Sequence, residues 1–300
     1  MPRTQNIAAA GLALAASAIL SLIDNFVGAV SQEAGLWQFQ LFRTLFAVPI
    51  LLVMARASGV ALRPVNLARL AGRSLAVSVG LLIYFAALGS LPVIAQAGAG
   101  LFSAPLWVAL LSVVLFRQKI GRTGALAVII GFAGALMLLQ PDLSGMTAQS
   151  LLPLSAGLFY GLGMLLTRYW CADESLLALA LGIFLCVGTA AIIMLAVVGF
   201  WPGSTFTTRP WVLPSTRFLG LTLFQAVGAV IAISFIAQGY KIGNPSVVAV
   251  FEYSFLIFAT FWGHLLWGNA TNLLALVGMI VILTSGLMMA RSAIRHTESA

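Results

Sequence analysis

Two of the seven acidic residues in this 300-residue chain, Asp24 and Glu252, stand inside long apolar stretches. Glu252 lies near the middle of NPSVVAVFEYSFLIFATFWGHLLW, which runs from Asn244 to Trp267. An ionisable side chain at the centre of a bilayer costs about 2.5–3.5 kcal/mol, so it normally faces a bundle interior or a watery cavity. Burial favours the protonated acid unless a cation is near. Three roles are open: Glu252 binds an ammonium group, exchanges a proton, or stays neutral in a hydrogen bond.

The acidic residue Asp24 and the basic residue Arg43 are interpreted together, because both stand inside apolar stretches. Each stands roughly six residues, hence ~9 Å, from the outer end of its apolar stretch. Adjacent antiparallel helices would bring the two side chains to equal depth. We predict a structural ion pair, whose rupture would leave a costly lone charge. The alternative is that Asp24 or Arg43 takes the charged end of an amino acid.

Polar and small side chains recur at helical spacing, which places each set on one helix face. Because polar groups in hydrocarbon need partners, such faces are expected to point inward. The faces are Ser17, Ser21, Asp24 or Asn25, Gly28; Gln96, Gly100, Ser103, Trp107; Ala156, Tyr160, Gly163, Thr167; and Gln225, Gly228 or Ala229, Ala232. Tight helix packing explains the Gly and Ala positions equally well. The long amide side chains of Gln96, Gln225 and Gln238 favour a cavity. At a helix interface without water, each amide would need specific hydrogen-bond partners.

From these faces and the aromatic residues we predict a polar-lined cavity that binds a solute. For any single aromatic residue, core packing or lipid contact is an equal alternative. The predicted cavity residues are Tyr84, Gln96, Ser103, Phe159, Tyr160, Gln225, Gln238, Glu252 and Tyr253.

The composition indicates whether the chain lies in water or in a lipid bilayer. Hydrophobic residues make up 61% and charged residues 7%, whereas soluble domains have about 25% charged residues. The chain is therefore expected to be an all-α polytopic membrane protein. The net charge of +8 does not indicate nucleic-acid binding, because the basic residues stand between apolar stretches. Two cysteines, Cys171 and Cys186, and two histidines, His264 and His296, are too few for a disulfide framework or a metal site.

Ten apolar stretches are long enough to be transmembrane spans. They run near 7–30, 36–55, 73–89, 93–116, 121–140, 149–169, 175–200, 216–238, 245–267 and 272–291. With ten spans both termini lie on one side of the membrane. That side receives twelve basic residues and the other side only Arg209 and Arg217. The positive-inside rule then predicts that both termini are cytoplasmic. The Arg- and Ala-rich composition is typical of a GC-rich bacterial genome, so we expect a bacterial inner membrane.

The ten spans divide into two sets of five, residues 1–143 and 144–300. Five is odd, so the second set enters the membrane from the opposite face, as in inverted-repeat transporters. The stretch from Ser90 to Phe116 echoes the one from Asn244 to Trp267, since each begins on a Pro after a small-residue turn. Candidate hinges stand near the ends of spans. They are Gly89, Pro92, Gly243 and Pro245.

The chain resembles the drug/metabolite transporter superfamily and, within it, the EamA-type permeases. The resemblance rests on the five-plus-five plan, on APLWVALL at Ala104–Leu111, and on IGRTGALAVIIGFAGALMLLQP at Ile120–Pro141. The Gly/Pro-rich layout looks most like bacterial exporters of aromatic and other neutral amino acids. It implies a central cavity lined by the first, third, fourth, sixth, eighth and ninth spans. The chain departs from the family in having Gln118 and Asn269 where a Glu often ends the fourth and ninth spans.

The expected function is the export of amino acids or related small metabolites by alternating access. The chain has no phosphate-binding glycine motif, so ATP is not expected to drive transport. Export of drugs or nucleoside-like metabolites is the alternative, and a channel or a structural membrane subunit is a further one. Nothing pairs a nucleophile with a base, so we expect no enzyme activity, no metal and no cofactor. The expected partners are a small-molecule substrate and the lipid bilayer, and the oligomeric state is open, with a monomer among the possibilities.

Overall fold

The computed structural model describes residues 3–90, 101–118, 120–139 and 152–298. Within these ranges the chain forms helices and no strand, which confirms the predicted all-helical fold. The helices are α1 (Arg3–Asp24), α2 (Val27–Glu33), α3 (Leu36–Ser58), α4 (Leu67–Ser90), α5 (Ala104–Val114), α6 (Arg122–Leu139), α7 (Leu152–Tyr169), α8 (Leu176–Phe200), α9 (Thr216–Ile242), α10 (Pro245–Glu252), α11 (Ser254–Trp267) and α12 (Leu273–Glu298).

Apart from the fourth span, whose residues 93–100 lie outside the described chain, each predicted span coincides with one helix or with a helix that is broken once. Six helical stretches of the described chain are long and apolar enough to cross a membrane, and α5, α6 and α12 are shorter apolar helices. The third span begins earlier than predicted, at Leu67 instead of residue 73. The Asn66 Oδ1 atom accepts a hydrogen bond from the Arg69 backbone N–H at 3.0 Å. Asn66 thus caps a helix start that hydrophobicity alone does not mark.

The first and ninth spans are broken, although the sequence predicted continuous helices. Between α1 and α2, the Asn25 amide donates to the carbonyls of Ser21 (2.8 Å) and Ala259 (3.3 Å). A side chain that bonds the backbone in this way competes with the helix. Between α10 and α11, the Tyr253 N–H donates to the Val250 carbonyl, three residues back instead of four. Discontinuous helices of this kind form binding sites in many transporters.

The fourth span has matching irregularities. Phe102 and Ser103 form a turn just before α5, and 151 residues later Tyr253 interrupts the ninth span. At the far ends of the two spans stand the left-handed residues Arg117 (φ 52°) and Gly268 (φ 67°), again 151 residues apart. The two spans therefore break and end at corresponding positions.

The packing of the helices follows a regular plan. α1 packs on α9 and on the pair α10–α11, as α7 packs on α4 and on α5. α9 packs on α3, as α4 packs on α8. The remaining main pairs are α3 with α8, α5 with α10, and α6 with α12. Suppose that each of the first five spans is exchanged for the span five places later, and the reverse. Each of these packing pairs then becomes another pair on the same list or stays the same pair.

One close backbone approach in this arrangement is between α6 and α12. A Cβ added to Gly134 would lie 2.9 Å from the Gly278 carbonyl oxygen, and one added to Gly278 would lie 2.7 Å from the Gly134 carbonyl oxygen. Both glycines are therefore needed for the two backbones to pack this closely, as small residues are in other membrane helix pairs.

On the side predicted to be outer, the loop between α8 and α9 holds the start of α3. The Trp37 indole N–H donates to the Thr207 carbonyl at 2.7 Å. The Gln38 amide donates to the Val212 carbonyl at 2.7 Å and accepts from the Val212 N–H at 3.0 Å. These contacts fix the position of the helix that carries Arg43.

We predict that Gly134→Ala lowers the thermal unfolding midpoint of the purified protein. The added methyl group meets backbone atoms that cannot rotate away, and such overpacking costs about 1–3 kcal/mol. The matched control is Gly220→Ala in α9, where a Cβ meets nothing within 4 Å. There the gain in helix propensity, up to about 1 kcal/mol, should leave stability unchanged or higher. Equal midpoints for the two variants would contradict the close α6–α12 contact.

Candidate functional site

A cavity of about 110 Å³ lies among the helices, and its wall is mostly apolar. It is lined by the spans that the family resemblance implies and also by the second and seventh spans, α3 and α8. Ionisable and polar side chains interrupt the apolar wall at several depths. They are Ser17, Asp24, Gln40, Arg43, Arg73, Tyr84, Tyr160 and Glu252. An apolar hollow with a few convergent polar groups is the usual form of a small-molecule site.

Glu252 is the last residue of α10, directly before the break at Tyr253. The Tyr160 hydroxyl donates to its Oε1 atom at 2.8 Å, and the Tyr240 hydroxyl donates to its Oε2 atom at 2.7 Å. Among the described residues, no basic nitrogen lies within 4.0 Å of this carboxylate. Both oxygens are thus bound by hydroxyls from α7 and α9 instead of by a cation.

Asp24 and Arg43 line the same cavity, and their opposite charges attract each other without forming a salt bridge. Within the described chain, no Arg43 nitrogen lies within 4.0 Å of an Asp24 oxygen, so the predicted direct ion pair is not formed. The Arg43 guanidinium instead lies 5.7 Å from the centre of the Phe39 ring and 5.4 Å from that of Phe85. Asp24, at the end of α1, interacts with Tyr84.

Arg73 is a cavity residue that sequence reasoning missed. Its Nε atom donates to the Thr167 hydroxyl at 2.7 Å and its Nη1 atom to the Leu179 carbonyl at 3.0 Å. The prediction that the third span starts at residue 73 placed this arginine at the cytoplasmic surface. Because α4 begins at Leu67, Arg73 is instead inside the helix bundle and fully buried. Tyr240 was also missed, and no pattern in the sequence distinguishes it.

Two predicted cavity glutamines lie elsewhere. Gln225 is fully buried between α1 and α9, where its amide donates to the Ile23 carbonyl at 2.6 Å. It is a contact between helices and does not line the cavity. Gln238 is half-buried outside the cavity wall. Gln96 lies outside the described residues.

Three other predicted residues surround the cavity without lining it. Tyr253 is fully buried in the core beside Gly131, where a Cβ would lie 2.7 Å from the tyrosine ring. Ser103 is buried in the turn before α5, between two residues that do line the wall. Phe159 is exposed on the outside of α7. Of the predicted aromatic residues, Tyr84 and Tyr160 lie on the wall.

The hinge candidates lie at the ends of helices. Gly89 is in the last turn of α4, and Pro245 opens α10 after the Asn244 cap. Gly243 separates α9 from α10, and a Cβ there would lie 2.3 Å from the Ala9 Cβ, so α1 packs directly on this junction. Pro92 lies outside the described residues.

Several bacterial proteins with known names are similar to this chain in sequence. The pseudopaline exporter CntI of Pseudomonas aeruginosa is 24% identical over 94% of this chain and 95% of its own. The riboflavin transporter of Rhizobium johnstonii is 24% identical over 89% of this chain and 83% of its own. A riboflavin transporter of Vibrio cholerae is 26% identical over 63% and 60%. These relatives are transporters.

The fold has a counterpart among solved structures. One crystal structure superposes with a TM-score of 0.81 at 16% identity, over 96% of this chain and 98% of that one. No family model matches the chain. The relatives and the apolar helices together support a multi-pass membrane transporter for a small molecule.

We predict that Tyr160→Phe lowers the unfolding midpoint in the wild-type background and changes it little in a Glu252→Leu background. A hydrogen bond to a charged group contributes about 1.5–3 kcal/mol, and a double-mutant cycle isolates that coupling. Tyr253→Phe is the matched control, since the Tyr253 hydroxyl is buried without a hydrogen-bond partner among the described residues. Equal losses from Tyr160→Phe in both backgrounds would show that the tyrosine acts by packing alone.

Proposed function

We propose that the protein exports amino acids, most of all aromatic and other neutral ones, or related small metabolites, across the bacterial inner membrane without ATP. The observation that carries the proposal is the central cavity, in which acids and arginines line an otherwise apolar wall. Ionisable groups within membrane spans often mark solute or ion pathways, because their burial in hydrocarbon is costly. The named transporters among the relatives support the same class of function.

Alternating access in this proposal uses two inverted repeats, residues 1–143 and 144–300. Two features of the structure support it: the reciprocal helix pairings, and the breaks and left-handed ends of the fourth and ninth spans at a spacing of 151 residues. The repeats rock against each other around a fixed site, as in other inverted-repeat transporters. Both termini are cytoplasmic in this scheme, and Gly89, Pro92, Gly243 and Pro245 remain the proposed hinges.

Glu252 is proposed to bind the ammonium group of the substrate. It stands at the break of the ninth span and is already held in place by two hydroxyls. A bound ammonium would pair with a carboxylate whose donors, among the described residues, are two neutral hydroxyls. The other two roles, proton exchange and a purely structural hydrogen bond, give different results in the measurements below.

We predict saturable counterflow in liposomes that contain the purified protein. A panel of labelled amino acids and nucleoside-like solutes identifies the substrate, and unlabelled substrate inside the vesicles should drive transient uptake of the labelled form. Uptake of nucleoside-like solutes alone would favour the alternative exporter. Flux that rises linearly with concentration would indicate a channel, and no flux of any solute would indicate a structural subunit.

We predict that Glu252→Gln raises the half-saturating concentration of an aminated substrate at least about tenfold, the factor expected when a charged hydrogen bond becomes neutral. The matched control is Glu33→Gln, which removes a carboxylate outside the cavity that pairs with the exposed Arg217 at 3.5 Å. If Glu252 exchanges protons instead, wild-type transport will stop when the proton gradient is abolished, and counterflow by the variant will keep its normal affinity. An unchanged variant in both assays would leave Glu252 a structural role only.

A further inference from the structure

The charged groups of the cavity differ in how well their hydrogen bonds are satisfied. Glu252 accepts bonds at both oxygens, and Asp24 interacts with Tyr84. The arginines are incomplete: among the described residues, the Arg43 Nε and the Arg73 Nη2 atoms are buried without a partner. Buried donors are normally paired. The cavity wall therefore has donors that lack hydrogen-bond acceptors. An anionic acceptor forms the strongest hydrogen bonds with a guanidinium.

Of the two arginines, Arg43 has fewer hydrogen-bond acceptors around its guanidinium. Among the described residues, its Nε atom is buried without a hydrogen-bond partner and no carboxylate lies within 4.0 Å of its nitrogens, although only 7% of the residue is exposed. The rings of Phe39 and Phe85 hold the guanidinium by cation–π contacts, and the loop after α8 anchors the start of α3. A cation that is buried, held in place and unpaired is a binding group prepared for a ligand, because leaving it unpaired is unfavourable.

We propose that Arg43 binds a carboxylate group of the transported solute. The proposal rests on the proposed function, in that it takes the cavity to be the transport site, and it adds the chemical class that the cavity selects. Guanidinium and carboxylate form paired parallel hydrogen bonds, which an amide or an ester cannot reproduce with the same charge. Asp24 also lines the cavity, but its oxygens lie more than 4.0 Å from every Arg43 nitrogen. It therefore does not occupy Arg43, and the ammonium of the same solute is left to Glu252.

The test compares acids with their amides, which share shape but not charge. Unfolding midpoints of the purified wild-type protein would be measured with L-phenylalanine, L-leucine, L-alanine and 3-phenylpropionate, each beside its carboxamide. We expect that at least one acid raises the midpoint in a saturable way and that its amide binds at least about tenfold more weakly. Amides that bind as well as their acids would overturn the proposal. So would the failure of every acid to bind.

Variants assign the effect to Arg43. Arg43→Gln should abolish the stabilisation by the acid, and Arg43→Lys should restore part of it because the charge remains but the paired geometry does not. Arg217→Gln, which removes an arginine that is 67% exposed outside the cavity, should change nothing. If Arg43→Gln does not fold, the wild-type comparison of acid and amide still decides the proposal. Full stabilisation of a folded Arg43→Gln protein by the acid would contradict it.

The outcomes separate this inference from the proposed function. Acid-selective binding without any flux in liposomes would uphold the carboxylate site and remove the transport proposal. Saturable flux that treats acids and amides alike would uphold transport and remove the carboxylate site.

Discussion

The structure depends on one constraint: an ionisable side chain within a membrane must face something other than lipid. Four such side chains, Asp24, Arg43, Arg73 and Glu252, converge on one hollow. Hydrocarbon outside the bundle leaves the interior as the only place where their hydrogen bonds can form. The helices are therefore oriented by these groups as much as by their apolar faces. Two tyrosines donate hydrogen bonds to the glutamate, whereas each arginine has one donor atom without a partner among the described residues. This difference determines which ligand groups the hollow can bind.

The same constraint explains why helices break beside the hollow. The breaks lie at Asn25, before Ala104 and at Tyr253. Near them the N–H groups of Phe26, Leu106 and Tyr253 donate to the carbonyl three residues back instead of four. Irregular backbone at membrane depth is tolerated where it is enclosed by protein or lines a cavity. Away from the hollow, α6 and α12 are continuous helices joined through Gly134 and Gly278. The broken helices thus line the hollow, whereas this closely packed pair outside its wall is continuous.

The sequence predicted where most helices lie, but not where two of the spans break, and it predicted only part of the site. Continuous apolar stretches marked the ten spans, because helix length is set by bilayer thickness, and the acid at Glu252 marked the ninth span as part of the interior. Arg73 was missed because an Asn66 cap extends its helix beyond the apolar stretch. Gln225 was misplaced because a buried amide can bind a neighbouring backbone carbonyl as well as a solute. Spacing along one helix shows which residues share a face, but it does not show which helix that face meets.

The central claim is that this hollow opens in turn to each side of the membrane, and thiol accessibility tests it most directly. Ser17 lines the hollow and is nearly fully buried, so Ser17→Cys in a chain with Cys171 and Cys186 replaced by Ala provides a single probe. Membrane-impermeant thiol reagents would be applied to each side of oriented vesicles. Alternating access predicts labelling from both sides, slowed by substrate. Labelling from one side only, or from neither, would contradict it.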